Sequence, residues 1–395
     1  MLQSFPNFAM RLKSMQPHNT KIGILGGGQL GKMLAQEATR MDLDIHFMDP
    51  SPNAPVSVVC SSFCCGDFND FDQVIAFGKD KNVVSIEIEH VNVLALEHLE
   101  SLGVLVFPQT SILRRIQDKG LQKVFYQEHN IPTAPFKLFK DAAEVLNAVD
   151  KGVIHIPFVQ KLRTGGYDGK GVLVVRNTLQ LKELMDGPCI IESLAPIQKE
   201  IGVIAVRNVS GECKVYSPVS MDFHPEANLV EDVLCPAEIP DAIQQQAINL
   251  AKSLANALGI VGLLAVEMFY NIDGSLWVNE IAPRPHNSGH LTLNNGSINQ
   301  FENHLRAILD LPLGDTLNLK PSLMMNLLGE EGASGAVKYL GMRKLFELPG
   351  IHLYLYGKSE TRPFRKMGHI NITAESVEAC RNIARSVRQI IKITT

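Results

Sequence analysis

The segment 267–290, EMFYNIDGSLWVNEIAPRPHNSGH, restricts the possible folds of this 395-residue chain more than any other. Its first half has the grammar of a β-hairpin: AVEMFY and SLWVNEI are apolar-rich, and between them stands Asp273-Gly274, a dipeptide suited to two-residue type I′ turns. With those residues at the turn centre, Ile272 faces Ser275, and counting outward pair by pair sets Glu267 opposite Glu280. Facing residues have Cβ atoms about 5 Å apart, where like charges destabilise a sheet; at an effective dielectric near 20 the repulsion is roughly 3 kcal/mol. Such a pair calls for a cation. A hard divalent ion that keeps some of its waters is held by one or two carboxylates, which makes magnesium the first expectation and manganese its substitute. The alternative is a turn offset by one residue, or a glutamate solvated at a sheet edge. Arg284, His286, Asn287, Ser288 and His290 follow at once, on a stretch that Pro283 and Pro285 keep out of helix and central strand. This dense set of donors reads as an anion site beside the metal.

The length exceeds what one compact core holds and implies two or three domains. A net charge of -4 disfavours nucleic acid and an anionic membrane as main partners, since both want a basic excess. No apolar run approaches the roughly 20 residues needed to cross a bilayer. Seven cysteines, an odd number without CxxC spacing, read as reduced thiols in a cytoplasmic protein. Residues 1–20 lack the apolar core of a secretory signal and read as a loose N-terminal tail.

From Lys21 the chain runs strand, glycine turn with helix, strand (KIGILG, GGQLGKMLAQEATRM, DIHFMD). Gly26, Gly28 and Gly31 fit the G-x-G-x-x-G spacing, and Asp49 ends the second strand where a dinucleotide fold places its ribose acid. Three readings stay open: a dinucleotide, another phosphate-bearing ligand at the helix N-terminus, or a purely structural turn. Strands at 83–88 and 104–108, with a helix from Asn92 to Ser101 between them, continue a parallel, doubly wound α/β sheet. Glu87, Glu89 and His90 fall at a strand's carboxyl end, either at a substrate or on a solvated loop.

After helices near 110–116 and 118–130, Pro132 and Pro135 break the pattern. The strand IPFVQKLR, the loop TGGYDGKG and the strand GVLVVRN follow. Glycines 165, 166, 169 and 171 around Lys170 free backbone N–H groups to wrap an anion, and Lys161 on the preceding strand would meet phosphates from the other side. P-loop spacing is missing, and the loop joins two strands; the alternative is an ordinary mobile hairpin. Glu192 to Ala195 end an extended segment stopped by Pro196, a backbone that suits a purine edge, with Glu200 near for ribose hydroxyls. His224 lies on a loop able to approach the glycine lid or to sit at the surface. A helix from Asp241 to Leu258 leads back to the hairpin. Residues 321–395 hold short strands and a closing helix, with Lys358, Arg362, Arg365, Lys366 and His369 clustered as an anion site or a solvated face.

Together these residues resemble the ATP-grasp superfamily, and within it the 5-(carboxyamino)imidazole ribonucleotide synthases of purine biosynthesis. GGGQLGKM, EIEHV, RTGGYDGKG, NEIAPRPHNSGH, QFENHLRAI and RKMGHI stand in that family's order. The resemblance implies a mixed α/β (α+β) protein: a Rossmann-like domain at 21–116, an ATP-grasp domain at 117–312 with a lid subdomain at about 135–200, and a small, mainly-β domain at 313–395. It implies an ADP-forming carbon–nitrogen ligase that carboxylates aminoimidazole ribonucleotide with bicarbonate through carboxyphosphate, and a homodimer. Lys119 and Lys161 would touch ATP phosphates under a lid of Gly166, Tyr167, Asp168, Gly169, Lys170, Gly171 and Val172. Glu192, Ser193, Leu194 and Ala195 would form the adenine hinge, with Glu200 on ribose, His224 nearby and Asn279 beside the nucleotide. Glu267 and Glu280 would hold magnesium. Tyr167, Lys170, Lys358 and Arg365 would bind the ribonucleotide, helped by Gln29, Leu30 and Glu87. Arg284, His286, Asn287 and Ser288 would hold bicarbonate and carboxyphosphate. Two departures stand out: Phe364 where the family usually has glycine, and Leu291 where it usually has tryptophan. The competing readings are another ATP-grasp carboxylate ligase, an NAD-dependent oxidoreductase built on the first domain, and a non-catalytic nucleotide-binding regulator.

Overall fold

The computed structural model describes residues 16–166, 171–224 and 229–395. Residues 1–15 of the expected tail, and Tyr167, Asp168, Gly169 and Lys170 of the glycine loop, lie outside the described residues.

The first five strands are β1 (Ile22–Leu25), β2 (Ile45–Asp49), β3 (Ser62–Cys65), β4 (Val83–Ile86) and β5 (Leu105–Val106), and they form a parallel sheet in the order β3-β2-β1-β4-β5. β1 and β4 are buried along their whole length, as continuous apolar runs are in a sheet covered on both faces. The strand order reverses between β1 and β4, and ligands of open α/β sheets bind outside the carboxyl ends at such a switch point. The glycine turn and Glu87 both lie there.

A second sheet is antiparallel, in the order β6-β9-β7-β8: β6 (Phe136–Phe139), β7 (Phe158–Leu162), β8 (Val172–Val175) and β9 (Cys189–Ser193). The glycine loop joins β7 to β8. The helix Lys119–Glu128 that leads into this unit begins at Asp118, whose side chain accepts the Gly120 and Leu121 N–H groups. Capping by an aspartate satisfies amides that have no intrahelical partner and sets Lys119 at the first helical position.

The largest sheet has nine strands among the described residues. It runs through β10 (Ile197–Arg207), β11 (Cys213–Val215), β12 (Val219–Phe223), β13 (Val230–Cys235), β14 (Gly262–Asn271), β15 (Leu276–Ala282) and β16 (Ser322–Leu328), then Lys366–Thr373 and Ile351–Leu355. Three C-terminal strands therefore join the central sheet, β16 pairing with β13 and Asp232 facing Met325, while the short strands Gly335–Ala336 with Glu360–Thr361 and Lys338–Leu340 with Lys392–Thr394 pair apart from it. Alternation in the sequence shows that strands exist there, but it carries no mark of the edge they join.

One apolar cluster binds the parts together. Ile22, Ile24 and Phe47 of the first sheet pack with Phe301, Leu305 and Ile308 of the helix Gln300–Ile308, and with Tyr356. Phe301 is fully buried at this junction, and truncating it to alanine would cost about 3–5 kcal/mol. The N-terminal sheet, the hairpin and the C-terminal strands consequently meet at one cleft. No helix among the described residues is long and apolar enough to cross a membrane.

Candidate active site

The hairpin brings Glu267 opposite Glu280, by a different route from the one expected. Asn271 N–H donates to the Ser275 carbonyl at 2.9 Å, and Gly274 N–H to that of Asn271 at 2.9 Å. Gly274 has φ 83, whereas Asp273 is not left-handed, so the loop holds three residues in place of a two-residue type I′ turn. This moves the register by one, and Tyr270 faces Leu276. A bulge between the Glu267 and Met268 pairings then restores the opposition of the two acids. Asn279 is the extra residue, and bulges re-aim side chains. Asn279 and Glu280 consequently share the cleft side. Lys161 Nζ donates to Asn279 Oδ1 at 2.7 Å, and Lys119 Nζ to Glu280 Oε2 at 2.5 Å.

The electrostatics follow from this packing. Burial raises Glu267, and repulsion from Glu280 and then Glu200 raises it further. Burial also opposes ionisation of Glu280, but Lys119 and Lys161 outweigh it and hold that carboxyl well below the usual range. Burial takes Glu200, the next acid on β10, up to about 7. Three acids thus crowd one wall, a surplus of negative charge that a cation would relieve.

The anion segment lies directly on this wall. Gly202 faces Glu267 across the β10–β14 pair, and a Cβ there would come within 2.8 Å of Ser288 Cβ, so glycine allows the turn to settle on the sheet. Ser288 N–H donates to His286 Nδ1 at 3.3 Å, which leaves the ring proton on Nε2, 3.5 Å from Glu267 Oε1. Burial, then Arg284 and Lys366, push His286 down to about 3, so it is neutral. Arg284 pairs with Glu89 at 3.2 Å, and the buried Asn287 side-chain N–H has no hydrogen-bond partner among the described residues. Leu291, in the position of the expected tryptophan, is 1% exposed and packs among Val219, Met221, Val233 and Met324.

Beside Lys161, Glu192 does not offer a free carboxylate. Its oxygens take Lys123 Nζ at 2.6 Å and Lys161 Nζ at 2.8 Å. Only backbone is left for the hinge role expected of Glu192, Ser193, Leu194 and Ala195: the β9 ladder ends at Ser193, and Pro196 accepts Ile272 N–H from the hairpin tip at 2.9 Å. Lys119 N–H bonds the Arg163 carbonyl at 2.8 Å, and Arg163 clamps Asp118 at 2.9 and 2.6 Å, joining the glycine-loop end of β7 to the helix that carries Lys119. Gly166, Gly171 and Val172 flank that loop. His224 closes β12, its N–H donating to Leu229 at 2.8 Å.

The glycine turn is filled from within. Glu87 accepts Gly28 N–H at 2.8 Å and Gly31 N–H at 3.0 Å, and Asp49 accepts Gly27 N–H at 2.8 Å. A Cβ on Gly28 would lie 2.9 Å from Glu87 Oε1, so glycine here admits a carboxylate of the protein itself. This overturns the dinucleotide reading, because the amides and the acid it needs already satisfy one another. Gln29 and Leu30 open the helix beyond the turn. Opposite them, Lys358 Nζ donates to the Lys366 carbonyl at 2.8 Å and Arg365 Nη1 to that of Glu360 at 2.7 Å. Burial, then repulsion from Arg365 and Lys366, lowers Lys358 to about 8.

Three contributors were missed. Lys123 lies four residues after Lys119, a spacing that puts both on one helix face and was a usable signal. Gln300 holds His286 at both backbone groups, accepting its N–H at 2.9 Å and donating to its carbonyl at 2.8 Å, with no local signal. Glu89 belongs to the acidic trio, and no local pattern links it to Arg284.

Comparison with known proteins matches residues 19–117 to the ribonucleotide synthetase preATP-grasp domain, 124–301 to the ATP-grasp domain, and 322–383 to the phosphoribosylaminoimidazole carboxylase C-terminal domain. N5-carboxyaminoimidazole ribonucleotide synthase of Bacillus subtilis is 39% identical over 88% of this chain and 90% of its own. The crystal structure of N5-carboxyaminoimidazole ribonucleotide synthetase from Thermotoga maritima superposes with TM-score 0.87 at 37% identity, covering 95% of this chain and 99% of that one. A synthase from Aspergillus clavatus, solved with ADP and 5-aminoimidazole ribonucleotide, gives TM-score 0.83 at 30% identity over 94% and 98%. The chain spans 64% of the longer phosphoribosylaminoimidazole carboxylase of Candida glabrata. With these matches running from the glycine turn to the C-terminal helix, the chain belongs to the N5-carboxyaminoimidazole ribonucleotide synthase family of ATP-grasp ligases.

Proposed function

We propose that this chain carboxylates 5-aminoimidazole ribonucleotide with bicarbonate, converting ATP to ADP and phosphate. The observation that carries the reading is the opposition of Glu267 and Glu280 where Lys119, Lys161 and the 284–288 segment converge. A bicarbonate oxygen attacks the γ-phosphorus and ADP departs; the exocyclic amine then takes the carboxyl carbon as phosphate leaves and the nitrogen loses a proton. Lys119 and Lys161 meet charge developing on the transferred phosphoryl group. Arg284, neutral His286, Asn287 and Ser288 hold the bicarbonate and carboxyphosphate, and the glycine loop with Lys170 excludes water from that short-lived mixed anhydride.

Glu267, Glu280 and Asn279 fit magnesium: two facing carboxylates and an amide oxygen leave positions open for nucleotide phosphates. When bound, the ion would neutralise charge on the triphosphate. Glu192 to Ala195 take adenine, Glu200 ribose, and His224 closes that side. Lys358 and Arg365 take the ribonucleotide phosphate, with Tyr167, Lys170, Gln29, Leu30 and Glu87 around the rest. The working units are 21–116, 117–312 and 313–395, in a cytoplasmic homodimer. The reading is tested by ADP release, which should require magnesium, bicarbonate and aminoimidazole ribonucleotide together. Turnover that does not change when bicarbonate is withheld would reject it.

A further inference from the structure

Phe364 occupies a backbone position made for glycine. Its φ is 61, in the left-handed region that bulky side chains rarely enter. Arg365 N–H donates to the Arg362 carbonyl at 3.0 Å with Pro363 second in the turn, the type II arrangement whose third residue needs positive φ. Two further bonds pin this turn to the end of β16: Phe364 N–H to the Gly329 carbonyl at 2.9 Å, and Gly329 N–H to the Arg365 carbonyl at 3.0 Å. A glycine at 364 would satisfy all of this without strain, so the turn itself does not call for the ring. Strain held at one residue directs attention to what its side chain does.

The half-buried ring meets His224 edge-on, with centroids 5.3 Å apart and planes at 60°. The contact joins two sites. On one side the turn continues directly into Arg365 and Lys366, beside Lys358, where the ribonucleotide phosphate is placed. On the other, His224 ends β12 at the nucleotide cleft, two strands from β16 in the same sheet. We propose that Phe364 is a positioning residue that couples the two substrates, its ring holding the Arg365 turn against His224 so that occupancy of either site tightens the other. This rests on the ATP and aminoimidazole ribonucleotide reading above.

Coupling of this kind is reciprocal and is measured as a ratio of affinities. Calorimetric titration of aminoimidazole ribonucleotide, with and without saturating Mg-ADP, should show the nucleotide tightening its binding by about five- to twentyfold in the parent. Phe364→Gly and His224→Ala should each reduce that ratio to within about twofold of unity, the double variant should go no further, and Phe364→Tyr should retain the ratio. In turnover, Phe364→Gly should raise the ribonucleotide KM at saturating ATP severalfold and leave kcat within about twofold. Its Tm should be no lower than the parent's, because glycine removes the strain. That separates coupling from a structural role, in which Tm and both affinities fall together. An active parent with no coupling, a Phe364→Gly variant that keeps the ratio, or effects that multiply in the double variant would each overturn this inference alone. A parent without ribonucleotide-dependent ADP release overturns the reading beneath it as well.

Discussion

Two regions of this molecule assemble groups that attract anions, and they finish differently. In the glycine turn at 26–31, the amides of Gly27, Gly28 and Gly31 are taken by Asp49 and Glu87. In the cleft, Lys119 and Lys161 are partnered by acids, yet Glu200, Glu267 and Glu280 crowd one another and the buried Asn287 amide has no partner among the described residues. One region balances its own charges; the other leaves acids in mutual repulsion, which the entry of phosphates and a cation would relieve. A glycine motif in a sequence therefore announces that an anion will be held, and leaves open whether the chain supplies it.

The harshest test of the open region is Glu280→Gln. It keeps the shape of the side chain and removes the charge between Lys119 and the expected metal. Turnover should fall about a hundred- to a thousandfold, while Tm stays within a few degrees of the parent. Near-normal turnover would show that the cation is held elsewhere and that the two regions differ less than their geometry implies.

The closed region is tested by Glu87→Ala, which bares the Gly28 and Gly31 amides at a nearly buried site. Losing two hydrogen bonds to a charged acceptor should cost about 3–6 kcal/mol, read as a lower unfolding midpoint. If the turn is an anion site filled from within, inorganic phosphate should then raise the variant's Tm more than the parent's, since a ligand that binds only the folded state stabilises it. An equal response in both proteins would mean that removing the carboxylate does not uncover a site.

These regions also mark how far the sequence could be read. The parallel sheet and its turn are local, and the apolar runs with their glycines declared them. The facing of Glu267 and Glu280 follows in the sequence from a two-residue turn that does not form, and a bulge at Asn279 offsets the register change. That bulge had a signature: the polar doublet Asn279-Glu280 between Val278 and Ile281 interrupts period-two alternation. The pairing of β13 with β16 and the grip of Gln300 on His286 had none, because both join residues separated by loops whose course no local pattern dictates. Glu87 as the internal occupant of the turn was hidden for the same reason, lying 59 residues from Gly28.

Arg365→Ala asks whether the cluster around Lys358 belongs with the open region. Like charges depress Lys358 to about 8 there, after burial, which a phosphate would reverse. Losing one charge-assisted hydrogen bond should raise the ribonucleotide KM about tenfold, with the KM for ATP changed less than about twofold. Equal changes in both would move Arg365 to a general structural role.

The smallest effect separates the regions by pH. His290 is 1% exposed on the cleft floor, and burial, then Lys366, lowers it from 6.5 to about 3. Between those values the unfolded chain binds a proton that the folded one refuses, so its contribution is present above pH 6.5 and lost as pH falls, by at most about 1.4 kcal/mol per unit. Glu87 has the opposite sign. Burial raises it above 4.5 in the folded state despite the Gly28 and Gly31 amides, so acidification through that range favours folding. His290→Gln should therefore flatten the fall in Tm between pH 7 and 5, and Glu87→Gln should steepen the fall as the pH drops toward 4.5, each by a few degrees at most. Parallel shifts of both curves, with no change of slope, would remove any titration difference between the filled turn and the open cleft and leave their contrast to hydrogen bonding alone.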